Sequence, residues 1–429
     1  MALGYLDDSK LYAIASAIRA KTGDSATMTV DEMPDEIGSI SGGGGGGGSV
    51  SDPIRFIDYD GSVVASYKAV PESLPDNPQH DGLVSQGWNY TLAQIRAQFA
   101  ESGTCDVGQM YVTESGDTEI DITVHDGRLS PYLAIALNGT AIIDWGDGSE
   151  PDTVTGTSLT TRKPTQHIYS EAGNYTIVIH VSSGSASLYG TSTYPFISKN
   201  VSPLNVNRVY AACVKAVRIG SKMGIGEYAF SYCSLLASVT IPDEVITIGR
   251  YAFLYCASLT SLTMPSEVTT INSNTFDNCV SLKYVSLPRA VQTISSNAFA
   301  SCYSLESLTV PSDITTIYSV AFNGCRGLTH VVLPNGLGAI QSQTFYACYA
   351  LNSVTIPSGV TSIQSQAFGN CYGLGEIHFQ SITPPSVASA NAWTSIPTDC
   401  KIYVPAGSLS AYTSASNYPS SSSYTYLEE

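Results

Sequence analysis

The hydrophobic positions in the C-terminal half of the chain recur every 23 residues. Five sets of positions keep this spacing in phase: Phe230, Phe253, Phe276, Phe299, Phe322, Phe345 and Phe368; Cys233, Cys256, Cys279, Cys302, Cys325, Cys348 and Cys371; Leu236, Leu259, Leu282, Leu305, Leu328, Leu351 and Leu374; Pro242, Pro265, Pro288, Pro311, Pro334 and Pro357; Ile248, Ile271, Ile294, Ile317, Ile340 and Ile363. A fixed period of this length predicts a solenoid, because one coil cannot bury its own apolar face and its neighbours complete it.

Each unit predicts two short strands and a corner. In the unit that contains Phe253, the corner holds this residue and Cys256, and Leu262 lies in an extended segment that Pro265 ends. A second short strand holds Ile271. The apolar positions are predicted to point inward and to stack on their counterparts in the next coil, about 4.8 Å away.

We assign this solenoid to residues 201–380 and a C-terminal cap to residues 381–429. Asn391 stands where the next phenylalanine would fall, and Trp393 follows two places later. Residues 401–405 predict a final strand. An open solenoid end requires such a cap.

Residues 1–40 predict a helical segment for anchoring or oligomerisation. Leu11, Ile14 and Ile18 form one apolar stripe at helical spacing. About 40 residues make a poor independent core, so this segment is expected to pair with copies of itself or to dock on a larger body. Residues 41–50, which contain seven consecutive glycines, predict a flexible linker.

Residues 51–110 predict a small α+β module, with two short strands around the Asp60-Gly61 turn and a helix over residues 91–100. Residues 111–200 predict an immunoglobulin-like β-sandwich. Its strands are expected around Ile120, at 132–137, 141–145 and 175–181, and its turns at Asp126-Gly127, Asn138-Gly139 and Asp147-Gly148. The predicted fold class is therefore mainly β and multidomain.

Composition and charge narrow the range of partners. The formal charge is −17 with only 19 Lys and Arg residues, which disfavours nucleic acid and anionic membranes. No apolar run approaches a membrane span of about 18 residues. The N-terminus shows no signal-peptide pattern, so we expect synthesis in a reducing cytoplasm.

The cysteine row has three interpretations. Disulfides require pairs, and a uniform row of seven in a protein made in the cytoplasm argues against them. Zinc sites require clustered ligands such as C-x-x-C, which the sequence lacks. We therefore predict a ladder of buried thiols, and we expect no metal and no cofactor.

Tyrosines that stand beside the constant phenylalanine and cysteine positions are the predicted receptor-binding residues. They are Tyr228, Tyr232, Tyr251, Tyr255, Tyr303, Tyr346, Tyr349 and Tyr372. A ridge of tyrosines is typical of a binding surface, because tyrosine offers a large amphipathic contact at low entropic cost. The alternative is that some of these rings fold down and shield neighbouring coils. Weaker candidates break the Ser/Thr-rich strand face, namely Lys283, Tyr284, Glu306, His330, Glu376 and His378.

The sequence does not predict an enzyme. A glycosidase needs two carboxylates roughly 5–10 Å apart in a cleft. Asp243-Glu244 is an adjacent acidic pair, but chain neighbours often face opposite sides. No nucleophile elbow and no H-E-x-x-H motif is present.

The unit that runs from Val245 through Phe253 and Cys256 to Leu262 resembles the BspA-type leucine-rich repeat. That resemblance implies a curved β-solenoid used in adhesion and in binding of proteins or glycans. Residues 143–149, with His167-Ile-Tyr169, resemble a PKD-type domain, which implies a spacer or binding module.

Three acidic residues of the PKD-like motif, Asp144, Asp147 and Glu150, raise the possibility of calcium. Their spacing does not match an EF-hand loop, so a polar turn is the preferred interpretation.

The N-terminal segment and the Gly82-to-Thr91 stretch are similar to parts of tail-associated proteins in phages of Gram-positive hosts. This resemblance implies a homotrimeric phage tail fibre or receptor-binding protein in the virion. It would bind tail or baseplate proteins through its N-terminus and a host cell-surface protein or glycan through its solenoid. The alternative is a bacterial cell-surface adhesin of the BspA type, which would need a signal peptide and a wall or membrane anchor.

Overall fold

A computed structural model describes residues 52–126, 130–192, 196–198 and 213–429. The chain divides into two units, Met1–Ser49 and Val50–Glu429, and the described residues all lie in the second. The helical segment predicted at 1–40 and the linker predicted at 41–50 lie outside the described residues.

The α+β module forms as predicted, with more strands than the sequence indicated. Its elements are β1 (Ile54–Ile57), β2 (Val63–Tyr67), β3 (Leu83–Trp88), α1 (Leu92–Ser102) and β4 (Cys105–Thr113). The sheet order is β2-β1-β4-β3, in which β1 and β4 are parallel. Thr91 starts the helix with a capping box, and Gly103 ends it in the left-handed conformation. Phe56, Trp88 and Ile95 fill the core between helix and sheet.

The next segment contains β5 (Thr118–Val124), β6 (Tyr132–Asp144), β7 (Asp152–Gln166), β8 (Gly173–Leu188) and β9 (Ile197–Ser198). Most of its predicted strands are present, and β7 was not predicted, but the strands belong to one hydrogen-bonded sheet where a sandwich of two sheets was predicted. The turn predicted at Asn138-Gly139 is wrong, because β6 continues through both residues. Gly139 faces Gly184 of β8, and a Cβ atom on either glycine would overlap the opposite backbone, so close strand pairing explains this glycine.

This segment shares its sheet with the solenoid. β10 (Val214–Arg218) pairs antiparallel with β5, while β11 (Met223–Ile225) pairs with β8. β12 (Ser238–Thr240) then pairs parallel with β10, which gives the order β12-β10-β5-β8-β6-β7. The N-terminal end of the solenoid is therefore hydrogen-bonded to the preceding segment, which closes an otherwise open sheet edge.

The predicted solenoid is present, with two rows of short parallel strands. The remaining strands follow as β13 (Ser261–Thr263), β14 (Thr270–Ile271), β15 (Tyr284–Ser286), β16 (Thr293–Ile294), β17 (Thr316–Ile317), β18 (His330–Val332), β19 (Ala339–Ile340), β20 (Ser353–Ile356), β21 (Ser362–Ile363), β22 (Glu376–Phe379), β23 (Ser386–Val387), β24 (Lys401–Val404) and, after helix α2 (Leu409–Thr413), β25 (Thr425–Glu428). Partners such as Leu262 and Val285 lie one repeat apart. We call the outer side of β12, β13, β15, β18, β20, β22, β24 and β25 the strand face.

The periodic residues form the core, as predicted. All seven repeat phenylalanines and all seven ladder cysteines have no exposed surface. Phe299 lies between Phe276 and Phe322, with ring centroids 5.2 and 5.5 Å away. From Cys256 onward, each ladder thiol also contacts a phenylalanine carbonyl, as Cys325 Sγ does with Phe299 O at 3.1 Å. The thiols are thus small apolar residues with a weak hydrogen bond.

The cap adds further rungs to the solenoid at sequence spacings longer than the 23-residue repeat. Trp393 takes the place of the next phenylalanine and stacks on Phe368 at 5.3 Å. Lys401 pairs with Glu376, 25 residues earlier, and with Thr425, 24 residues later. The prediction that residues 401–405 form the final strand is therefore wrong, because β25 adds one more rung whose polar composition gave no apolar signal.

Candidate functional site

The predicted tyrosines all lie at one corner of the solenoid. The corner comprises residues 228–234 and the six equivalent stretches that follow at 23-residue intervals, up to 366–372. Its turn holds two residues of each coil at positive φ. In the first two coils these are tyrosines, and in later coils they are other residues: Tyr228, Tyr232, Tyr251, Tyr255, Asn274, Asn278, Asn297, Ser301, Val320, Gly324, Gln343, Ala347, Gln366 and Asn370.

The left-handed conformation of these tyrosines has an energetic cost. A bulky side chain at positive φ costs roughly 1–2 kcal/mol, whereas Asn and Gly adopt this region readily. Stacking offsets part of the cost, since Tyr228 lies flat on Tyr251 at 4.6 Å and Tyr232 on Tyr255 at 5.0 Å. Burial, together with the neighbouring Tyr251, raises the pKa of Tyr228, so the Tyr228 hydroxyl remains neutral at physiological pH.

A second group forms one column at the last position of the corner. Tyr303, Arg326, Tyr349 and Tyr372 are each one repeat apart. The Arg326 guanidinium lies 4.4 Å from the ring centroid of Tyr303 and 5.3 Å from that of Tyr349. Tyr372 packs at 5.3 Å on Tyr349, and the two rings are 55% and 38% exposed. We call these four residues the Tyr-Arg column.

Tyr346 lies apart from both groups. Its hydroxyl oxygen accepts a hydrogen bond from Asn370 Nδ2 at 2.8 Å, and its ring packs against Gly369. This ring covers the next coil, as the alternative interpretation of the tyrosines anticipated. The eight tyrosines therefore form two stacked pairs, one column and one covering ring, and their binding role stays a prediction.

Arg326 is the residue that sequence reasoning missed. The repeat spacing could have identified it, because Arg326 occupies the same coil position as Tyr303 and Tyr349. A pattern defined by tyrosines alone does not include the cation between them.

Half of the strand face is covered by the α+β module. Asn89 Nδ2 donates to Ser286 Oγ at 2.9 Å, and Tyr90 Oη donates to the Leu287 carbonyl at 2.8 Å. Ser261 Oγ donates to the Tyr59 carbonyl at 2.8 Å. The weaker candidate Tyr284 lies beneath the module, where its ring faces a module arginine. No local sequence pattern indicated this contact.

The same contact buries an ion pair. Arg55 donates to both carboxylate oxygens of Asp106, at 2.8 and 2.9 Å, and to Ser307 Oγ of the solenoid at 2.7 Å. Gln98 of α1, which is fully buried, donates to Val310 O and accepts from Ser312 N. Directional hydrogen bonds of this kind give the contact a single geometry.

The other strand-face candidates differ in their surroundings. Lys283 and Glu306 form a weak surface pair at 3.9 Å. His330 is exposed beyond the edge of the module. His378 stacks on Tyr403 at 4.4 Å and lies 3.5 Å from Glu376. These residues are not brought together into one site with the tyrosines.

A cleft of about 300 Å³ lies where the helix of the module meets the solenoid. Glu101, Val310, Asp313 and Leu333 are among its lining residues. Arg289 contacts both carboxylates, at 3.5 Å and 3.2 Å, and so shares its single positive charge between them.

The acidic turn of the middle segment is held by internal hydrogen bonds. Asp147 accepts from Ser149 N and contacts His167 Nε2 at 2.8 Å. Burial opposes the shift, but these hydrogen bonds lower the pKa of Asp147 to about 2. Within the described ranges, no group of three or more His, Cys, Asp or Glu side chains is placed to hold a metal ion.

None of the helices described here combines the length and apolarity needed to cross a membrane.

Comparison with known proteins identifies the repeat. The family model for the BspA type leucine rich repeat region matches residues 210–329 and 292–389, with six copies. The predicted BspA-type solenoid is thereby confirmed. A comparison with curated proteins finds no match.

Among the solved structures that the chain matches are leucine-rich-repeat proteins and a vaccine antigen. The T. pallidum leucine rich repeat protein is 26% identical, covering 43% of this chain and 84% of its own, with a TM-score of 0.34. A leucine-rich repeat protein from Bacteroides ovatus is 20% identical over 50% and 74%, with a TM-score of 0.34. The pneumococcal vaccine antigen PcpA is 18% identical over 50% and 68%, with a TM-score of 0.37.

Proposed function

We propose that this protein is a non-enzymatic recognition protein that binds a cell-surface protein or glycan through the tyrosine corner of its solenoid. One observation carries the proposal. The α+β module covers the strand face from β12 to Ser312, whereas the Tyr-Arg column stays at the surface, with Tyr349 and Tyr372 more than one-third exposed.

The backbone at the corner also supports recognition. Four tyrosines occupy left-handed positions that other coils fill with Asn, Ser, Gly, Val, Gln or Ala. Backbone conformations that cost energy are concentrated at functional sites, and the tyrosine pairs are consistent with such a site. Because each ring is stacked, binding would lose little side-chain entropy, which favours affinity.

For the biological setting, we propose a phage tail receptor-binding protein in the virion. In this proposal residues 1–40 join a homotrimer to tail or baseplate proteins. The support is the sequence resemblance of this segment and of the α+β module to phage tail-associated proteins. The second candidate is a bacterial surface adhesin, which the BspA-type repeat favours.

The binding proposal can be tested with substitutions copied from other coils. Tyr251→Asn and Tyr255→Asn reproduce Asn274 and Asn278, and Tyr349→Ala reproduces Ala257. These changes should preserve the fold. Combined in the full-length protein, they should weaken binding to recognised cells roughly 30-fold or more, the scale of a lost aromatic hot spot. The measurement is flow cytometry with the labelled protein.

The matched control is Tyr318→Ala, because Tyr318 is 49% exposed and lies outside the corner. Its binding should equal that of the wild type. If the corner variant bound as tightly as the control while both melted normally, the binding surface would lie elsewhere.

The two biological settings predict different locations. Antibodies raised against residues 52–429 should label the tails of purified phage particles under electron microscopy. Labelling of bacterial walls in phage-free cultures, with no label on virions, would favour the adhesin.

A further inference from the structure

Arg326 differs in its surroundings from the other solenoid arginines that the structure describes. Arg218, Arg250 and Arg289 each contact a carboxylate within 3.5 Å. Arg326 is exposed and forms no ion pair with any described residue. Its guanidinium instead lies between the rings of two tyrosines. The positive charge is held in place but not neutralised.

The surrounding corner is otherwise uncharged. Across residues 297–303, 320–326, 343–349 and 366–372, Arg326 is the only charged residue. In a protein with a formal charge of −17, this patch carries a local positive charge. Charge complementarity therefore points to an anionic group on the ligand.

We propose that the Tyr-Arg column binds the carboxylate of an acidic glycan, with Arg326 as the residue that receives the carboxylate. This inference rests on the proposed function of the corner. The planar guanidinium matches a carboxylate with two parallel N–H···O bonds, and the flanking rings fix its plane. Tyr372, at the end of the column, leaves ring surface open for the apolar face of a neighbouring sugar.

The charge of the whole chain favours this ligand over the alternatives. A polyphosphate or a strongly acidic peptide brings many charges close to a protein of charge −17, which repels them at long range. A glycan with one carboxylate among neutral sugars places a single charge at Arg326. Neutral sugars can contact the tyrosine edges and hydroxyls on either side.

The test is a glycan array probed with the full-length protein. The array carries uronate- and sialate-containing glycans, their neutral carboxyl-reduced counterparts, glycerol-phosphate oligomers and aspartate-rich peptides. We expect binding to a carboxylated glycan and at least tenfold weaker binding to its neutral counterpart. Arg326→Gln should weaken that binding roughly 10- to 100-fold, the range for a charge-assisted bidentate contact. Arg326→Lys should restore only part of it, because an ammonium lacks the fork.

The control is Arg250→Gln, which also removes one positive charge, but from an arginine paired with Glu227. It should bind like the wild type. Equal binding to carboxylated and neutral glycans, binding only to phosphate oligomers or peptides, or binding to nothing on the array would each overturn the proposal. An equal loss of binding in Arg326→Gln and Arg250→Gln would also overturn the proposal, because the loss would then follow from the net charge of the protein alone.

The two proposals fail differently. If cell binding depends on the corner tyrosines but is unchanged by Arg326→Gln, the corner recognises a ligand and the carboxylate proposal is wrong. If the tyrosine variants also bind cells normally, the proposed function itself is wrong.

Discussion

At the residue scale, two sets of aromatic side chains repeat along the solenoid and have different roles. Phenylalanines such as Phe299 fill the core and have no exposed surface. Tyrosines such as Tyr372 occupy positions that vary between coils, where the hydroxyl can remain in water. Constancy along the repeat therefore marks the packing positions, and variation marks the surface.

Phe299→Ala should destabilise the protein by about 3–5 kcal/mol, because it leaves a cavity in a stacked core. Denaturant unfolding followed by circular dichroism would measure the change. Tyr318→Ala is the comparison variant, since it removes an exposed ring. If the unfolding midpoint of Phe299→Ala were as high as that of Tyr318→Ala, Phe299 would not point into the core.

The cysteines should be chemically silent in the folded protein. All ten are buried. Burial raises the pKa of Cys371 to about 12, so almost no thiolate forms at pH 8. Labelling with Ellman's reagent at pH 8 should detect almost no thiols in the native state and ten after denaturation. Rapid labelling of several thiols in native protein would contradict the buried ladder.

At the element scale, the docking position of the α+β module depends on the contact between its strand β4 and the solenoid strand β13. Gly108 lies so close to Thr263 that a Cβ atom at this glycine would overlap the threonine side chain. The buried Arg55–Asp106 pair lies in the same contact. Close backbone approach and buried polar groups together define one docking position.

Gly108→Ala should loosen this contact, and Gly108→Ala combined with Thr263→Gly should restore it, because the second change removes the overlapping atoms. Hydrogen exchange at the backbone amides of residues 284–287 would report the docking. These amides should exchange faster in the single variant and recover in the double variant. If Gly108→Ala left the exchange rate unchanged, and Thr263→Gly alone gave the same rate as the double variant, Gly108 and Thr263 would not be in close contact.

At the scale of the whole molecule, residues 50–429 act as one compact unit. The middle segment continues into the first solenoid strand through β5 and β10, and the module packs across the strand face. The surface available for recognition is thus smaller than that of the solenoid alone. It includes the corner and the strand face beyond His330.

The isolated fragment 201–429 should therefore differ from the full chain. It should expose Ser261 and Ser286, which the module covers, and the open edge of β10. We expect self-association or lower solubility, measurable by light scattering, that adding residues 52–200 in the same chain removes. A fragment as monomeric and as stable as residues 52–429 would show that the module contributes little.

The 23-residue period alone indicates the solenoid, its buried rows and the corner position of the tyrosines, because each coil packs on a near-identical neighbour. Which surfaces remain open depends instead on contacts between distant segments. Asn89 and Ser286, 197 residues apart, meet through the shapes of two non-repeating surfaces. The clamped Arg326 depends on three adjacent coils at once. No local pattern encodes such contacts, since their energy arises only after distant segments are brought together.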